Sequence, residues 1–136
     1  MNELEYITDA AKRFYAEAGY EIPENIEEYY LELRNNPLIF TKTIIGKGFI
    51  VGFIAPSFLN PGRLQAQELA WYVEPEFRGT STAIKLMKMY EAEALSRGCK
   101  EIGMVCLEAL NPESTGRIYE KLGYNKHETH FIKEVK

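Results

Sequence analysis

The sequence is poor in the residues that build covalent or metal-bound frameworks. Its 136 residues include two cysteines, Cys99 and Cys106, and two histidines. Two cysteines are too few for a disulfide framework, and their spacing matches no zinc motif. Cys106 lies in an apolar run and is expected to act as a small buried hydrophobic residue. The sequence therefore excludes disulfide-rich and zinc-finger proteins, and it predicts no metal site.

Long hydrophobic runs are also missing. No apolar stretch approaches the ~20 residues that a helix needs to cross a membrane. The first residues, Met1–Glu5, lack the basic start and the apolar middle of a signal peptide. We therefore expect a protein of the reducing cytoplasm that has no membrane partner.

An excess of positive charge is absent as well. The chain has 16 lysines and arginines against 20 aspartates and glutamates, which gives a net charge of -4. Domains that bind nucleic acids normally carry a basic patch or stripe, so no nucleic-acid partner is expected. Several glutamates cluster between Glu24 and Glu32, which is typical of a solvated helix face but could also attract a cationic amine.

What the sequence does have is the patterning of one globular domain. Hydrophobic residues make up 46% of the chain and charged residues 26%, and no repeat or linker divides residues 1–136. Hydrophobic spacing predicts helices at Glu3–Ala18, from Pro23 to Asn35, at Thr82–Arg97 and at Glu113–Leu122. Strands are predicted at Leu38–Ile45, Phe49–Ala55, Leu64–Val73, Ile102–Leu107 and His127–Val135. This order predicts a mixed α/β fold in a single domain.

The most informative stretch is a strand, a turn and a helix between Glu68 and Ala83. The polar turn Arg78–Thr82 opens a helix, so several backbone N–H groups without helical partners point the same way. Together with the helix dipole they make a site suited to an anion such as a pyrophosphate. Gly79 permits close approach of a ligand, and Arg78 adds a permanent positive charge. The alternative is that the hydroxyls of this turn merely cap the helix.

Two blocks of the sequence resemble motifs of the GNAT superfamily of N-acetyltransferases. The run from Val73 to Ala83, VEPEFRGTSTA, is similar to the family's coenzyme-A loop, Arg/Gln-x-x-Gly-x-Gly/Ala. The family block Tyr-Glu-Lys-Leu-Gly-Phe is matched by Tyr119–Tyr124. Asn111 stands where the family often carries an asparagine after the next strand. The separation of the blocks and the order of the elements also fit, so the resemblance covers nearly the whole chain.

The resemblance implies a fold and a cofactor site. The fold would be a mixed sheet flanked by helices and splayed between the strands that end near Val73 and Leu107. The co-substrate would be acetyl-CoA, whose pantetheine arm would lie in the gap and pair with backbone groups near Tyr72 and Val73. The other cofactor-binding residues that the resemblance implies are Arg78, Gly79, Thr80, Ser81, Thr82, Ala83 and Asn111.

Two departures from the family pattern bear on these expectations. Ser81 replaces the central glycine of the loop, although serine keeps the backbone N–H that a pyrophosphate needs. The chain starts almost directly with a helix, so the family's usual first strand is expected to be missing. That would leave the Leu38–Ile45 strand at an exposed edge, and a homodimer is one way to cover it.

The resemblance also implies catalytic residues. Tyr119 stands at the position of the family's general acid, and a phenol of pKa about 10 stays protonated at neutral pH; a packing tyrosine is the alternative. Glu68 lies where some members carry a catalytic glutamate, and its alternative is a solvated glutamate at a strand edge. Ordered water could relay the proton instead. His127 and His130 have no evident partner and are expected to have surface or structural roles.

The predicted function is transfer of an acetyl group from acetyl-CoA to a primary amine of a small molecule or a protein. The loop Pro56–Arg63 and the two N-terminal helices would shape the acceptor site. One alternative is a non-catalytic acyl-CoA-binding or protein-interaction module on the same fold, which Ser81 and the short N-terminus motivate. The other is a generic α/β domain whose motif matches are accidental.

Overall fold

The computed structural model describes residues 1–105, 111–128 and 130–135. The chain divides into two compact units, residues 1–105 and residues 106–136. The predicted burial of Cys106 and the end of the strand predicted up to Leu107 lie outside the described residues. Of the helices in the described part of the chain, none is both long and apolar enough to cross a membrane.

Two helices open the first unit. The first, α1 (Glu3–Ala18), begins where the Asn2 side chain accepts a hydrogen bond from the backbone N–H of Glu5. It ends at Gly19, whose φ of 81° lies in the left-handed region that glycine adopts without strain. The second, α2 (Ile26–Asn35), ends where the sequence predicted. A capping asparagine and a turn glycine therefore mark the two ends of α1.

Four strands form one mixed sheet in the order β1-β2-β3-β4. They are β1 (Ile39–Ile44), β2 (Gly48–Pro56), β3 (Leu64–Val73) and β4 (Cys99–Gly103). β2 pairs antiparallel with both β1 and β3, and β4 runs parallel to β3. Residues 1–38 form helices and no strand, and β1 lies at one edge of the described sheet.

The strand β4 begins three residues earlier than the sequence indicated, since the predicted start was Ile102. It follows Gly98, whose φ of 87° ends the preceding helix, and its first residue, Cys99, is buried. The polar residues Lys100 and Glu101 interrupt the apolar run, and this interruption hid the start of the strand. Only Cys99 of this strand is fully buried, and Lys100 is exposed to solvent.

Strand pairing changes in the middle of β3. The register of β2 against β3 shifts between Val51 and Gly52, which leaves Leu69 as an extra residue of β3, a β-bulge. On its other side β3 pairs with β4 only over Leu64–Gln67. From Glu68 onward, β3 continues without β4 as a partner among the described residues. The mixed sheet flanked by helices that the resemblance implies is confirmed, whereas the predicted splay toward Leu107 lies outside the described residues.

The helix α3 (Thr82–Ser96) covers one face of this sheet. Its buried residues recur every three or four positions, as on one face of a helix: Thr82, Leu86, Met87, Tyr90 and Ala94. Three of them, Leu86, Tyr90 and Ala94, form one buried cluster with residues from the sheet: Phe40, Ile50, Ile54, Ala66 and Cys99. Each fully buried large side chain of this kind contributes about 1.5–3 kcal/mol of hydrophobic stabilisation. This core fixes the start of α3 at the end of β3.

The opposite face of the sheet packs against α1. The ring of Phe14 meets the ring of Tyr72 edge-on at 6.0 Å between centroids, and Tyr72 lies 6.0 Å from Phe49. All three rings are buried. The end of β3 is thus held between α3 on one side and α1 on the other.

The second unit contains α4 (Pro112–Lys121), close to the predicted helix. Asn111 is its N-cap and has a φ of 52°, a left-handed conformation that asparagine tolerates better than most residues. Its side chain accepts a hydrogen bond from the backbone N–H of Ser114 at 3.4 Å. Gly123, with a φ of 91°, follows the helix as predicted.

The predicted terminal strand His127–Val135 is wrong. Residues 127–128 and 130–135 have no strand conformation, and Phe131 and Val135 are 88% and 89% exposed. The alternating pattern favours a strand locally, but a strand needs a neighbour to pair with, and none pairs with these residues in the described chain.

Candidate functional site

The chain turns sharply between β3 and α3 through residues Glu74–Ser81, which we name the β3–α3 connection. A short 3-10 helix, Pro75–Phe77, follows the strand; the sequence indicated only a turn there. Gly79 has a φ of 80°, and a Cβ added to it would meet nothing within 4 Å. The backbone conformation, and not lack of space, therefore requires glycine at this position.

Backbone N–H groups at the start of α3 are open to a ligand. The first hydrogen bond of the helix runs from the N–H of Lys85 to the carbonyl of Ser81 at 3.0 Å. In the described part of the chain, no protein group accepts from the N–H of Gly79, Ser81, Ala83 or Ile84. No acidic residue occupies the first turn. The open N–H groups and the helix dipole therefore favour an anion here.

The hydroxyls of the turn are partly used within the protein. Thr80 donates through Oγ1 to the carbonyl of Phe77 and accepts from the backbone N–H of Thr82 at 3.3 Å. Thr82 is buried, and its hydroxyl lies 3.1 Å from that of Thr80. Ser81 stands at the N-cap position with helical angles and makes no side-chain capping bond. Capping therefore explains Thr80, whereas the exposed Ser81 does not cap the helix.

The guanidinium of Arg78 is held by protein groups. Two of its nitrogens donate to the carboxylate of Glu17, each at 2.7 Å, and Nε donates to the carbonyl of Val73 at 2.9 Å. It also lies 5.6 Å from the centre of the Tyr72 ring. The hydrogen bond that Arg78 donates to Glu17 is the main cause of a raised pKa of Arg78. Glu17 thus compensates this positive charge, and a cofactor-binding role for Arg78 stays a prediction.

Two lysines that the sequence analysis missed flank the open N–H groups. A pocket of about 320 Å³ is lined by the turn residues Thr80–Thr82 and by Lys47 and Lys85. The ammonium of Lys47 lies 5.1 Å from the centre of the Phe77 ring. Of the two, only Lys85 could have been identified from the sequence. The helix dipole disfavours a cation near the start of a helix unless an anion binds there. Lys47 gave no such signal, since only strand pairing brings its hairpin to α3.

A larger pocket, about 660 Å³, lies between α1 and the β3–α3 connection. Most of its charged residues compensate one another. Arg13 pairs with Glu74 at 2.6 Å and with Asp9 at 2.5 Å, and Glu17 pairs with Arg78 at 2.7 Å. The smaller pocket is therefore the better candidate for an anionic ligand, because two lysines and the turn before α3 line it and no carboxylate is among its described lining residues.

The end of β3 places the other predicted cofactor residues beside this turn. Tyr72 is buried, and its hydroxyl donates to Glu74 at 3.2 Å, so the side chain points toward α1. Val73 is partly buried and packs against the core under α3. The backbone near both residues lies in the stretch of β3 that β4 does not pair with.

Glu68 is buried at the point where β3 leaves β4. Its residue exposure is 5%, and it directly follows Gln67, the last residue of β3 that pairs with β4. The alternative of a solvated glutamate at a strand edge is therefore wrong. Its role as the base stays a prediction.

The remaining predicted site residues lie in the second unit. Tyr119 is buried on α4, with its ring 5.7 Å from that of Tyr124, and Asn111 is an exposed N-cap. His127 and His130 are exposed. The structure thus brings together the residues from Glu68 to Ala83 in the first unit and describes Tyr119 and Asn111 separately. Among the residues described, no cluster of three or more His, Cys, Asp or Glu could hold a metal ion.

The chain as a whole matches one protein family. The family model described as "Acetyltransferase (GNAT) family" matches residues 4–124. This chain belongs to the GNAT family. No curated protein matches it in sequence. The matched range includes both sequence blocks that resembled GNAT motifs.

Solved structures share the GNAT fold at low identity. The aminoglycoside acetyltransferase meta-AAC0020, from an uncultured soil metagenomic sample, has a TM-score of 0.79 at 14% identity over 99% of this chain and 91% of that chain. AAC(6')-Iy, in complex with the bisubstrate analog CoA-S-monomethyl-acetylneamine, has a TM-score of 0.79 at 16% identity over 100% and 95%. The ribosomal-protein-alanine N-acetyltransferase from Brucella melitensis biovar Abortus 2308 has a TM-score of 0.74 at 14% identity over 98% and 93%. At these identities the likeness shows the fold alone.

Proposed function

We propose that this GNAT protein is an acyl-CoA-dependent N-acetyltransferase that moves an acetyl group from acetyl-CoA to a primary amine. The observation that carries the proposal is the open N-terminus of α3 beside the stretch of β3 that has left β4. The first feature suits a pyrophosphate, and the second leaves an extended strand edge for the pantetheine arm. The binding of a CoA bisubstrate analog by AAC(6')-Iy, a structural relative, supports the same ligand.

The residues of the smaller pocket fit the charged end of acetyl-CoA. The N–H groups of Gly79, Ser81 and Ala83 would donate to the pyrophosphate oxygens, and Ser81 can do so because its backbone N–H is open. Lys47 and Lys85 would supply positive charge to the pyrophosphate, because the charge of Arg78 is already compensated by Glu17. Backbone groups of Tyr72 and Val73 would pair with the pantetheine arm, and Asn111 stays a predicted cofactor-binding residue.

The reaction needs one group to accept a proton and one to donate a proton. The amine loses a proton to Glu68, directly or through water, and its lone pair attacks the thioester carbonyl carbon. The carbon–sulfur bond then breaks, and Tyr119 protonates the departing thiolate, so that the products are an amide and free CoA. Burial of Tyr119 and Glu68 is consistent with these roles, because proton transfer is more effective away from bulk water.

The acceptor would approach from the face that α1, α2 and the loop between β2 and β3 surround. That loop exposes Phe58 and Leu59, at 94% and 69%, which are apolar enough to contact a ligand. The structural relatives include an aminoglycoside acetyltransferase and a ribosomal-protein-alanine N-acetyltransferase. A first acceptor panel should therefore contain aminoglycosides, polyamines, lysine peptides and peptides with a free N-terminus.

Other expectations from the sequence complete the proposal. Residues 1–136 would act as a single N-acetyltransferase domain in the cytoplasm. The edge strand β1 would allow pairing with a second copy, which supports a homodimer.

The test combines binding with turnover. Calorimetric titration should show saturable one-to-one binding of acetyl-CoA, and the panel should reveal an amine that releases free CoA thiol. Changing both Lys47→Gln and Lys85→Gln should weaken acetyl-CoA binding by about tenfold, since each is an exposed charge contact. The matched control Lys12→Gln, whose lysine pairs with Glu27 on α2, should leave affinity unchanged.

The outcomes separate the competing functions. Binding without turnover on any amine would favour the non-catalytic acyl-CoA-binding module. No binding at millimolar acetyl-CoA would contradict the proposal and leave the protein-interaction module.

A further inference from the structure

A buried carboxylate stands at the start of the β3–α3 connection. Glu74 follows directly after β3, and its side chain is 7% exposed. One of its oxygens accepts from the Tyr6 hydroxyl at 2.7 Å and from Arg13 Nη2 at 2.6 Å. The other accepts from Arg13 Nε at 3.0 Å and from the Tyr72 hydroxyl at 3.2 Å. Four hydrogen bonds from three side chains therefore fix this carboxylate, and two of those side chains, Tyr6 and Arg13, belong to α1.

The backbone of the same residue is also fixed. The N–H of Glu74 donates to the carbonyl of Lys47 at 2.8 Å, and its carbonyl accepts from the N–H of Phe77 at 2.9 Å. Glu74 thus joins four parts of the fold: α1, the end of β3, the β1–β2 hairpin and the 3-10 helix. Because Lys47 lines the smaller pocket, the hydrogen bond to its carbonyl also sets one wall of that pocket.

A second ion pair joins the far end of the connection to the same helix. Arg78 forms its two-pronged pair with Glu17, one helical turn beyond Arg13 on α1. The two ion pairs have opposite polarity. In the first, the connection supplies the carboxylate and α1 the guanidinium. In the second, the connection supplies the guanidinium and α1 the carboxylate. The segment between Glu74 and Arg78 is therefore attached to α1 at both ends, directly before the open N–H groups.

The carboxylate of Glu74 remains ionised in this setting. Burial by itself raises its pKa, but hydrogen bonds from Arg13 and Tyr6 and the charge of Arg13 outweigh burial and hold the pKa below its usual value. Burial and the hydrogen bond to Glu74 raise the pKa of Tyr6, which keeps that phenol protonated as a donor. The network is therefore complete at neutral pH, with every bond to the carboxylate charge-assisted.

We propose that Glu74 is a positioning residue for the cofactor: it ties the β3–α3 connection to α1 and so holds the N–H groups of Gly79, Ser81 and Ala83 where a pyrophosphate needs them. Glu74 is too deeply bonded within the protein to be a ligand itself. It acts through the connection that it anchors, and α1 is the rigid support. This inference rests on the proposed function, because the pyrophosphate that Glu74 would indirectly help to bind is that of acetyl-CoA.

The discriminating experiment compares two acetyl donors. Acetyl-CoA carries the pyrophosphate, and S-acetylpantetheine lacks the pyrophosphate and everything beyond it. In Glu74→Gln the amide nitrogen would face protein donors, so at least one donor loses its acceptor and the connection moves. Loss of preorganisation should weaken acetyl-CoA binding by about tenfold or more. Binding of S-acetylpantetheine, followed by ligand-observed NMR, should change by less than about twofold.

Matched variants separate positioning from general damage. Glu27→Gln removes an ion pair between α1 and α2 that lies away from the connection, and it should alter neither affinity. Glu17→Gln breaks the second tie and should reproduce the selective loss more weakly, because that pair is more exposed. If Glu74→Gln fails to fold, Arg13→Lys keeps the positive charge, removes the two-pronged bond, and should show the same selectivity.

The outcomes are distinguishable from those of the proposed function. Equal weakening of both donors, or no weakening of acetyl-CoA in a folded Glu74→Gln or Arg13→Lys, would overturn the positioning role while the wild type still binds acetyl-CoA. Failure of the wild type to bind acetyl-CoA would overturn the proposed function, and the positioning role with it.

Discussion

Replacing Gly52 with alanine tests the packing of β2 against the core under α3, at the β-bulge between β2 and β3. Gly52 stands at the register shift between β2 and β3. A Cβ at this position would lie 2.6 Å from a ring carbon of Tyr90 and 2.7 and 2.9 Å from ring carbons of Phe40. Both rings are buried, and their centroids are 5.3 Å apart. Neither ring can move aside without displacing the other or the helix α3.

The size of the effect follows from these distances. Carbon atoms in contact prefer about 3.5–4.0 Å, so the new methyl group requires a shift of roughly 1 Å in a closely packed core. Overpacking of this kind typically costs about 1–3 kcal/mol. Alanine also restricts the unfolded chain, which offsets about 0.4–1 kcal/mol. We expect Gly52→Ala to lower the free energy of unfolding by about 1–2 kcal/mol, which corresponds to a fall of roughly 3–8 °C in Tm for a chain of this size.

The assay is thermal and urea unfolding followed by circular dichroism. Gly116→Ala is the matched control, because Gly116 lies within α4, has an ordinary φ, and an added Cβ there would meet nothing within 4 Å. That variant should gain about 0.5–1 kcal/mol. Phe40→Leu removes one of the two rings, so Gly52→Ala should cost less stability in that background than in the wild type, by a coupling of at least about 0.5 kcal/mol. A Gly52→Ala protein as stable as the wild type, or one that gains stability like the control, would refute the close-packing argument.

Three further predictions concern the site and the acid stability. Tyr119→Phe should keep acetyl-CoA affinity and lower kcat by about tenfold or more, and unchanged turnover would place the proton donor elsewhere. Ala83→Trp should abolish calorimetric binding of CoA by filling the space before α3, so undiminished affinity would count against that site. Glu93 pairs with Arg97 and Lys42, and these hydrogen bonds lower its pKa to about 2. Because the folded pKa is depressed, this stabilisation is complete above the unfolded value near 4.5 and is lost as the pH falls toward about 2. The stability difference from Glu93→Gln, about 0.5–1 kcal/mol for such partly exposed pairs, should therefore vanish across that range in pH-dependent unfolding.

Elements whose ends depend on neighbours in sequence could be predicted accurately. α1 begins at a capping asparagine, ends at Gly19 and has the predicted bounds, as has β3. The turn around Gly79 could be predicted for the same reason, because a positive φ and a helix start are local features. The same local reasoning failed at His127–Val135, since alternation indicates a strand but cannot supply a partner strand.

Properties that depend on distant residues could not be predicted. The bulge at Leu69 arises from the register of β3 against β2, two strands that are distant in sequence at this point. The burial of Glu68 depends on what the fold packs over β3 and not on its own neighbours in sequence. Lys47 reaches the smaller pocket because a hairpin brings it there, and no pattern around it indicates a ligand.

The sequence by itself determined the family, the order of elements and the turn that presents N–H groups to an anion, because motifs, caps and hydrophobic spacing are encoded within short stretches. Only the tertiary structure decided how the charges at that turn are distributed. Arg78 is joined to Glu17 and Glu74 to Arg13 across 61 positions of sequence in both cases. The physical reason is that a charge acts through space, so its effect on the site is set by the partner that folding brings within hydrogen-bonding distance.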